Sequence, residues 1–365
     1  TVGRVQTIMS KLVIDREREM NAHQKAFSFN TSGIFHKDLH ARLNKVFTNV
    51  EDVRKLIEHC QKKDAKFTIE SNKDKIVKKK PGPPLETSTL QSLVSSRMGI
   101  SPKRVLDIAQ NLYLKGAISY PRTDSLRLPE AKVIEIKNLV ETRFGTDYFV
   151  ERQHEAKGES AQEAHSCIYP LDLEVDDLSK KKVDLKANAE KANADKSNTK
   201  EQAINDEPQF EEDEDEKLMV EPDQQTAGWS EMDKKVYKYI WLYTVSSQMA
   251  ESETKNTRVV INISGTTPKF SASHNKLVFP GYLKVWGRDS SETEEQTGEN
   301  ANDEDDDNKD EKYNVEILKL KEGDPLTIKS ITSVEKATAG PAPYPESALT
   351  KKMRELEVGR PSTHG

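Results

Sequence analysis

The stretch Gly116-Ala-Ile-Ser-Tyr-Pro-Arg-Thr-Asp-Ser125 is the part of the sequence that decides which fold we expect. Gly116 is suited to end a helix in the left-handed conformation, and an extended segment follows it. Residues two apart in an extended segment share a face, so Tyr120 and Arg122 are predicted to point the same way. Pro121 between them stiffens the backbone and removes an N–H donor.

The pair Tyr120 and Arg122 suits chemistry on a phosphodiester. A tyrosine hydroxyl is a poor nucleophile at neutral pH unless its surroundings favour the phenolate. The fixed charge of an arginine favours that form, and its planar fork can hold two phosphate oxygens. The pattern therefore predicts a tyrosine that attacks a phosphate and remains attached to it. The alternative is that Tyr120 is an aromatic residue packed into a core.

Helices are predicted on both sides of this stretch. A helix opens after a proline-rich loop, where Ser88 and Gln91 have the spacing of a capping box. Ser101-Pro102 starts a second helix with one apolar face, and Leu128-Pro129 starts a third. Residues 81–170 are therefore predicted to form a helical, winged-helix-like domain that carries the tyrosine.

Residues 26–80 mix short strand-like runs with a helix near Val50–Cys60. An amphipathic helix is predicted over Ser230–Ala250, and residues 256–285 and 313–334 alternate like strands. The predicted strands are Ala26–Phe29, Phe67–Ser71, Thr257–Ile263, Leu277–Phe279, Asn314–Leu318 and Leu326–Lys329. Together with the helical stretches, these strands predict an α+β protein of several domains.

The formal net charge of −6 is unevenly distributed along the chain. Residues 171–228 contain 18 acidic and 8 basic residues, and residues 289–311 contain 12 acidic and 1 basic residue. The remaining 284 residues therefore carry a net charge of +15. Both acidic segments are poor in aromatic residues, so we predict that they are disordered insertions in surface loops.

The compartment is only partly constrained by the sequence. No apolar run approaches the roughly 20 residues of a membrane helix. The two cysteines, Cys60 and Cys167, indicate an intracellular, reducing compartment, and no C-x-x-C pair indicates a zinc ribbon. Because the chain begins at Thr1 instead of Met, we interpret it as a fragment. Cytoplasm or nucleoid, and nucleus or organelle in a eukaryote, all stay open.

The order of residues from Tyr120 to Asp124 resembles the active-site segment of the type IA DNA topoisomerases. In that family a tyrosine is followed by a variable residue, an arginine, a serine or threonine, and an acidic residue. Further blocks resemble the family in the family's own order. They are Thr1–Thr7 with Leu12–Glu19, Pro81–Gln91, Gln162–His165, and Glu346–Leu349 with Val358–Thr363.

The resemblance implies a toroidal α+β core with a winged-helix-like tyrosine domain and a β-rich arch domain. It also implies ATP-independent relaxation of negatively supercoiled DNA. One strand is cut, its 5′ phosphate is held on the tyrosine, another strand passes through the gap, and the cut is resealed. The expected partners are single-stranded and negatively supercoiled DNA, with no membrane, and the expected state is a monomer.

The same resemblance divides the chain into domains. Residues 1–25 would belong to the helical domain that forms the DNA groove, and residues 341–365 would begin its returning segment. The arch domain would comprise residues 26–80 and, with the helix that precedes its strands, residues 229–340. Residues 81–170 would form the tyrosine domain.

Site roles are carried over residue by residue. Tyr120 would be the nucleophile, Arg122 would position the scissile phosphate, and His165 would contact a phosphate or relay a proton. The residues expected to contact DNA are Thr1, Gly3, Arg4, Gln6, Asp124, Arg360, Ser362 and Thr363. A structural role for His165, and a role as surface charges for Arg4 and Arg360, stay open.

One segment departs from the family pattern. The family's His-Glu-Ala-Ile-Arg-Pro reads His165-Ser-Cys-Ile-Tyr-Pro170 here, so an acidic residue and an arginine of the phosphate-binding shell are replaced. We expect this change to alter how the site holds phosphate.

The family's cofactor is Mg²⁺, which the resemblance places in an amino-terminal TOPRIM module. We expect its ligands outside these 365 residues and no metal site within them, so the chain alone should bind single-stranded DNA without relaxing plasmids. Two alternatives stay open: a decatenase like topoisomerase III, whose Ser-Tyr-Pro-Arg matches Ser119–Arg122, and a catalytically inactive DNA-binding relative. A rolling-circle nuclease would need a His-x-His motif, which is absent.

Overall fold

The chain folds into two compact units, each assembled from separated stretches of sequence. The computed structural model describes residues 4–154, 166–180, 228–287, 317–356 and 358. The first unit draws on Thr1–Val13, Pro81–Ala250 and Tyr344–Gly365, and the second draws on Ile14–Lys80 and Glu251–Pro343. The first unit thus contains the tyrosine segment together with the helix that follows the first acidic insertion.

Helices and strands are both present, which confirms a mixed α and β protein. In the described residues the α-helices are α1 Arg4–Ala22, α2 Val50–Cys60, α3 Thr87–Met98, α4 Pro102–Leu114, α5 Glu130–Arg143, α6 Glu231–Ser246 and α7 Glu346–Glu355. The strands are β1 Phe27–Phe35, β2 Leu39–Leu43, β3 Phe67–Lys79, β4 Ser252–Ile263, β5 Phe270–Phe279, β6 Pro325–Leu326 and β7 Ile328–Ala337. None of these helices combines the length and apolar character needed to cross a bilayer.

The strands of the second unit form one antiparallel sheet in the order β6-β3-β4-β5-β2-β1-β7. Its two edge strands, β6 and β7, are separated in sequence by Thr327 alone. Leu326 pairs with Phe67 at one edge, while the Thr327 carbonyl accepts a hydrogen bond from the N–H of His36 beside the other. The sheet must therefore curl until its edges meet.

Three phenylalanines fill the inside of the curled sheet. The ring of Phe35 packs edge-to-face on Phe67 and on Phe270, with centroids 5.5 Å apart in both pairs. Helix α2 joins this core with Val53, Leu56 and Cys60. Burial raises the pKa of the Cys60 thiol to about 11, so this cysteine stays protonated at neutral pH.

The predicted second helix of the tyrosine region is confirmed as α4. Ser101 caps it by accepting a hydrogen bond from the N–H of Arg104, and Pro102 occupies its first turn. The apolar face predicted for it is buried, including Val105, Ala109 and Leu112. Local capping signals therefore fix the helix that leads directly into the tyrosine segment.

Two predicted details of the neighbouring helices are wrong. The residue before α3 is Glu86, and Ser88 lies inside the helix, where its hydroxyl donates to the Glu86 carboxylate instead of capping. Helix α6 was predicted to be amphipathic with Val236 and Ile240 in its apolar stripe, and these two are buried, but Tyr237 and Trp241 are buried as well. A segment packed over the helix explains this extra burial.

That segment is Leu171–Lys180, the beginning of the stretch predicted to be disordered. Leu173 and Leu178 are buried, the Trp241 indole N–H donates to the carbonyl of Leu173, and the Tyr237 hydroxyl donates to that of Val175. The prediction of disorder over 171–228 is therefore wrong for its first ten residues. Residues 181–227 and the second acidic segment, 289–311, lie outside the described residues.

Two strand predictions also need correction. Strand β3 continues to Lys79, well past the predicted end at Ser71, because it pairs along its whole length with β4. Residues 317–319 form a 3-10 turn, although a strand was predicted over Asn314–Leu318, of which only Ile317 and Leu318 are described. The Asn72 side-chain amide donates to the carbonyls of Ile317 and Leu320, and this contact holds the turn against β3.

The aromatic core of the second unit should control its stability. Replacing Phe35, which is 0% exposed, with alanine should lower the free energy of unfolding by about 3–5 kcal/mol through lost burial and a residual cavity. Phe27→Ala on the same strand is the control, since Phe27 is 51% exposed and should cost much less. Urea denaturation followed by circular dichroism measures both. Equal losses would contradict this assignment of the core.

Candidate active site

Tyr120 lies in an irregular segment between α4 and α5. Gly116 ends α4 with a positive φ of 69°, and the N–H of Ala117 donates to the carbonyl of Leu112 over 2.8 Å. Ile118 forms a single bridge with Pro170, and no regular strand follows it before α5. The predicted glycine cap is thus confirmed, whereas the extended segment is held by other means.

A short segment after the predicted histidine supports the amino-terminal side of Tyr120. The N–H of Ser119 donates to the carbonyl of Tyr169 over 2.9 Å, and its hydroxyl donates to the carbonyl of Cys167 over 3.0 Å. The N–H of Leu171 donates to the carbonyl of Ala117. The part of the altered family block that the structure describes is therefore a backbone partner of the tyrosine segment.

The carboxyl-terminal side is held by Thr87, the first residue of α3. Its N–H donates to the carbonyl of Thr123 over 3.0 Å, and its hydroxyl accepts from the N–H of Thr123 over 2.8 Å. The same hydroxyl lies 2.7 Å from the carbonyl of Pro121, to which it donates. Thr87 therefore binds the backbone on both sides of Arg122. We call this set of contacts the Thr87 clamp.

Hydroxyl turns extend the restraint beyond the Thr87 clamp. The Thr123 hydroxyl accepts from the N–H of Ser125, and the Ser125 hydroxyl accepts from the N–H of Arg127, each over 3.1 Å. The carbonyl of Arg127 then accepts from the N–H of Cys167. Hydrogen bonds to the backbone thus recur at Ser119, Pro121, Thr123, Ser125 and Arg127 along a segment without regular secondary structure.

Burial alternates along this segment. Ser119, Pro121, Thr123 and Ser125 are buried, whereas Tyr120 is 44% exposed and Arg122 is exposed. The alternative that Tyr120 is a core aromatic is therefore wrong. Within the part of the chain that the structure describes, the Arg122 guanidinium makes no hydrogen bond or ion pair, so its donors face outward.

A second tyrosine lies beside the first. The ring of Tyr113, from the last turn of α4, packs edge-to-face on that of Tyr120, with centroids 5.4 Å apart and an interplanar angle of 75°. Such a contact limits the rotation of an exposed ring. It also means that two phenol hydroxyls lie in the same neighbourhood, so an experiment must distinguish them.

The remaining predicted site residues are mostly beyond the described residues. Asp124, two residues after Arg122 in the sequence, is half-buried, and Gln6 is exposed on α1. The backbone of Arg4 begins α1, and its side chain is not described. The predicted residues outside the described ranges are Thr1, Gly3, His165, Arg360, Ser362 and Thr363.

The described residues do not suit a metal centre. No group of three or more histidine, cysteine, aspartate or glutamate side chains within them is arranged to hold an ion. Cys167 next to the tyrosine segment is buried, and burial raises the pKa of its thiol, so it is not a thiolate ligand at neutral pH.

Two positioning contacts were missed by sequence reasoning. Thr87 lies 36 residues before Thr123, and nothing in the spacing of the two indicates that they pair. Nothing in the sequence distinguishes Tyr113 from the other residues of α4 or indicates that it contacts Tyr120. Only the resemblance of Pro81–Gln91 to a family block signalled that the start of α3 matters.

Comparison with known proteins identifies the family of this chain. The family model described as DNA topoisomerase matches residues 1–365, which is the whole chain. DNA topoisomerase 1 of Helicobacter pylori is 28% identical over 381 residues, covering 100% of this chain and 42% of that protein. The prokaryotic-type DNA topoisomerase 1 of Acanthamoeba polyphaga mimivirus is 27% identical over 400 residues, covering 100% and 40%.

A solved structure gives the same result for the fold. The full-length topoisomerase I of Thermotoga maritima has a TM-score of 0.66 and 25% identity to this chain, covering 99% of it and 49% of its own length. The chain thus spans less than half the length of these relatives. With a family match from the first residue to the last, the chain belongs to the type IA DNA topoisomerase family.

Proposed function

We propose that the protein containing this chain relaxes negatively supercoiled DNA by cutting and resealing one strand, with Tyr120 as the nucleophile. One observation carries the proposal: Tyr120 and Arg122 are exposed on a segment whose intervening residues are buried and hydrogen-bonded. A reacting tyrosine needs this combination of an accessible hydroxyl and a fixed backbone. Membership of the family supports the reaction type.

The reaction is a transfer of one phosphodiester. The Tyr120 oxygen attacks phosphorus, the bond from phosphorus to the 3′ oxygen breaks, and the phenol's proton is matched by one gained at the 3′ hydroxyl. The 5′ phosphate remains on the tyrosine until the reverse attack reseals the strand. Arg122 would hold the non-bridging oxygens with its fork and favour the crowded, more negative transition state.

The other participants are part of the same proposal. His165 would contact phosphate or relay a proton, and Asp124 and Gln6 would contact the single strand with the predicted DNA-binding residues that lie outside the described ranges. The family generally uses Mg²⁺, and the resemblance to that family supports ligands in an amino-terminal TOPRIM module outside these 365 residues. The protein would act as a monomer on single-stranded and negatively supercoiled DNA, within an intracellular, reducing compartment.

Tyr120→Phe should abolish the covalent adduct, because only its hydroxyl is removed. The matched control is Tyr113→Phe, which deletes the neighbouring hydroxyl and keeps the ring contact. The complete gene product that carries this chain is incubated with Mg²⁺ and a labelled single-stranded oligonucleotide, then denatured and resolved by gel electrophoresis. An adduct that persists in Tyr120→Phe, or disappears in Tyr113→Phe, would contradict the assignment of the nucleophile.

Thr87→Val should reduce adduct formation by about tenfold or more, because a misplaced reacting group loses much of the benefit of orientation. Valine keeps the shape of threonine but leaves the carbonyl of Pro121 and the N–H of Thr123 without the hydroxyl, at a cost of about 1–3 kcal/mol in stability. Thr87→Ser restores the hydroxyl and should recover most of the rate. Equal rates in the two variants would show that the Thr87 clamp does not position Tyr120.

The 365-residue chain alone should bind single-stranded DNA without relaxing a plasmid. Binding requires only a basic surface, whereas strand transfer in this family involves a metal for which the described residues provide no ligands. Fluorescence anisotropy with an oligonucleotide and a gel relaxation assay measure the two properties. Mg²⁺-dependent relaxation by this chain would place metal ligands within it and refute the prediction.

A further inference from the structure

The paired strands β3 and β4 carry basic residues on both faces of the sheet. The two faces differ in whether these residues are paired with carboxylates. Residues directly opposite one another in an antiparallel pair share a face. On the face that continues into the phenylalanine core, Asp74 is paired with Lys255 at 2.7 Å, and Glu253 is paired with Lys78 at 2.6 Å. Its positive charges are therefore largely neutralised by neighbouring carboxylates.

The opposite face has unneutralised positive charges. Lys73 lies directly opposite Arg258, and Lys75, two residues further along the same strand, shares their face. All three side chains are exposed, and none makes an ion pair or hydrogen bond with any residue that the structure describes. We call Lys73, Lys75 and Arg258 the basic face.

Neutral hydrogen-bonding side chains surround the basic face. Ser273 lies opposite Arg258, and Asn256 lies opposite both Lys75 and Asn275. The amide of Asn256 donates to that of Asn275 over 2.6 Å, which places both on this face. Cations among small hydroxyl and amide groups, without a carboxylate in these rows, are the side chains that contact phosphates.

We propose that the basic face binds the phosphate backbone of duplex DNA. Charge complementarity supports a polyanion, since the face is positive although the whole chain carries −6. The absence of aromatic residues from these rows of β3, β4 and β5 favours a duplex over a single strand, because single-strand binding surfaces stack bases on aromatic rings. The contact would be independent of DNA sequence.

This role goes beyond the proposed function, because it involves neither Tyr120 nor a cut strand. It would hold a duplex portion of the substrate on the sheet unit and leave the chemistry to the tyrosine segment. An adduct assay with single-stranded DNA therefore tests the proposed function, and duplex binding tests the basic face, so either can fail without the other.

The test compares two triple variants of the 365-residue chain, all in the Tyr120→Phe background so that no chemistry occurs. The first is Lys73→Gln with Lys75→Gln and Arg258→Gln. The matched control is Lys55→Gln with Lys62→Gln and Lys63→Gln, which removes the same charge from exposed positions of the same unit. Circular dichroism and thermal unfolding verify that both variants fold.

Binding of a labelled blunt duplex is measured by fluorescence anisotropy over a series of KCl concentrations. If all three cations contact phosphates, the slope of log affinity against log salt should fall by roughly two to three in the basic-face variant, and change little in the control. Equal changes in the two variants, or none in either, would overturn the proposal. So would a greater loss of affinity for a single strand than for the duplex.

Discussion

The hydroxyl of Thr87 is the contact on which the candidate site depends. A segment without strand pairing cannot satisfy its own backbone, yet its buried carbonyls and N–H groups must find partners. Thr87 supplies them on both sides of Arg122, at 2.7 Å to the carbonyl of Pro121 and 2.8 Å to the N–H of Thr123. Because the buried residues are fixed in this way, Tyr120 and Arg122 between them must face outward.

The backbone N–H and C=O groups of the two units find their hydrogen-bond partners in different ways. In the second unit a continuous antiparallel ladder curls around Phe35. In the first unit isolated hydroxyls on Thr87, Ser119 and Thr123 replace the ladder around the tyrosine. Such a site is rigid where it must hold the backbone and open where it would receive a phosphate, which suits a reaction that is repeatedly reversed.

The sequence predicted those parts of the molecule that depend on neighbours along the chain. Ser101, Pro102 and Gly116 set the ends of α4, and the spacing of Tyr120 and Arg122 predicted their shared exposure. Contacts between distant residues were not predictable in the same way. The acidic composition of residues 171–228 predicted disorder and gave no sign that Leu173 and Leu178 are buried. The second half of β3 is rich in lysine and was not predicted as a strand, because its pairing with the distant β4 stabilises it.

The central claim, that Tyr120 and not its neighbour carries the DNA, is tested most directly by locating the phosphate. The adduct of the complete gene product is trapped, its DNA is digested to a short stub, and trypsin separates Gly116–Arg122 from the peptide that contains Tyr113. Mass spectrometry should find the nucleotide on Gly116–Arg122, which contains Tyr120 as its one tyrosine. A nucleotide on the Tyr113 peptide, or on any other tyrosine, would contradict the account.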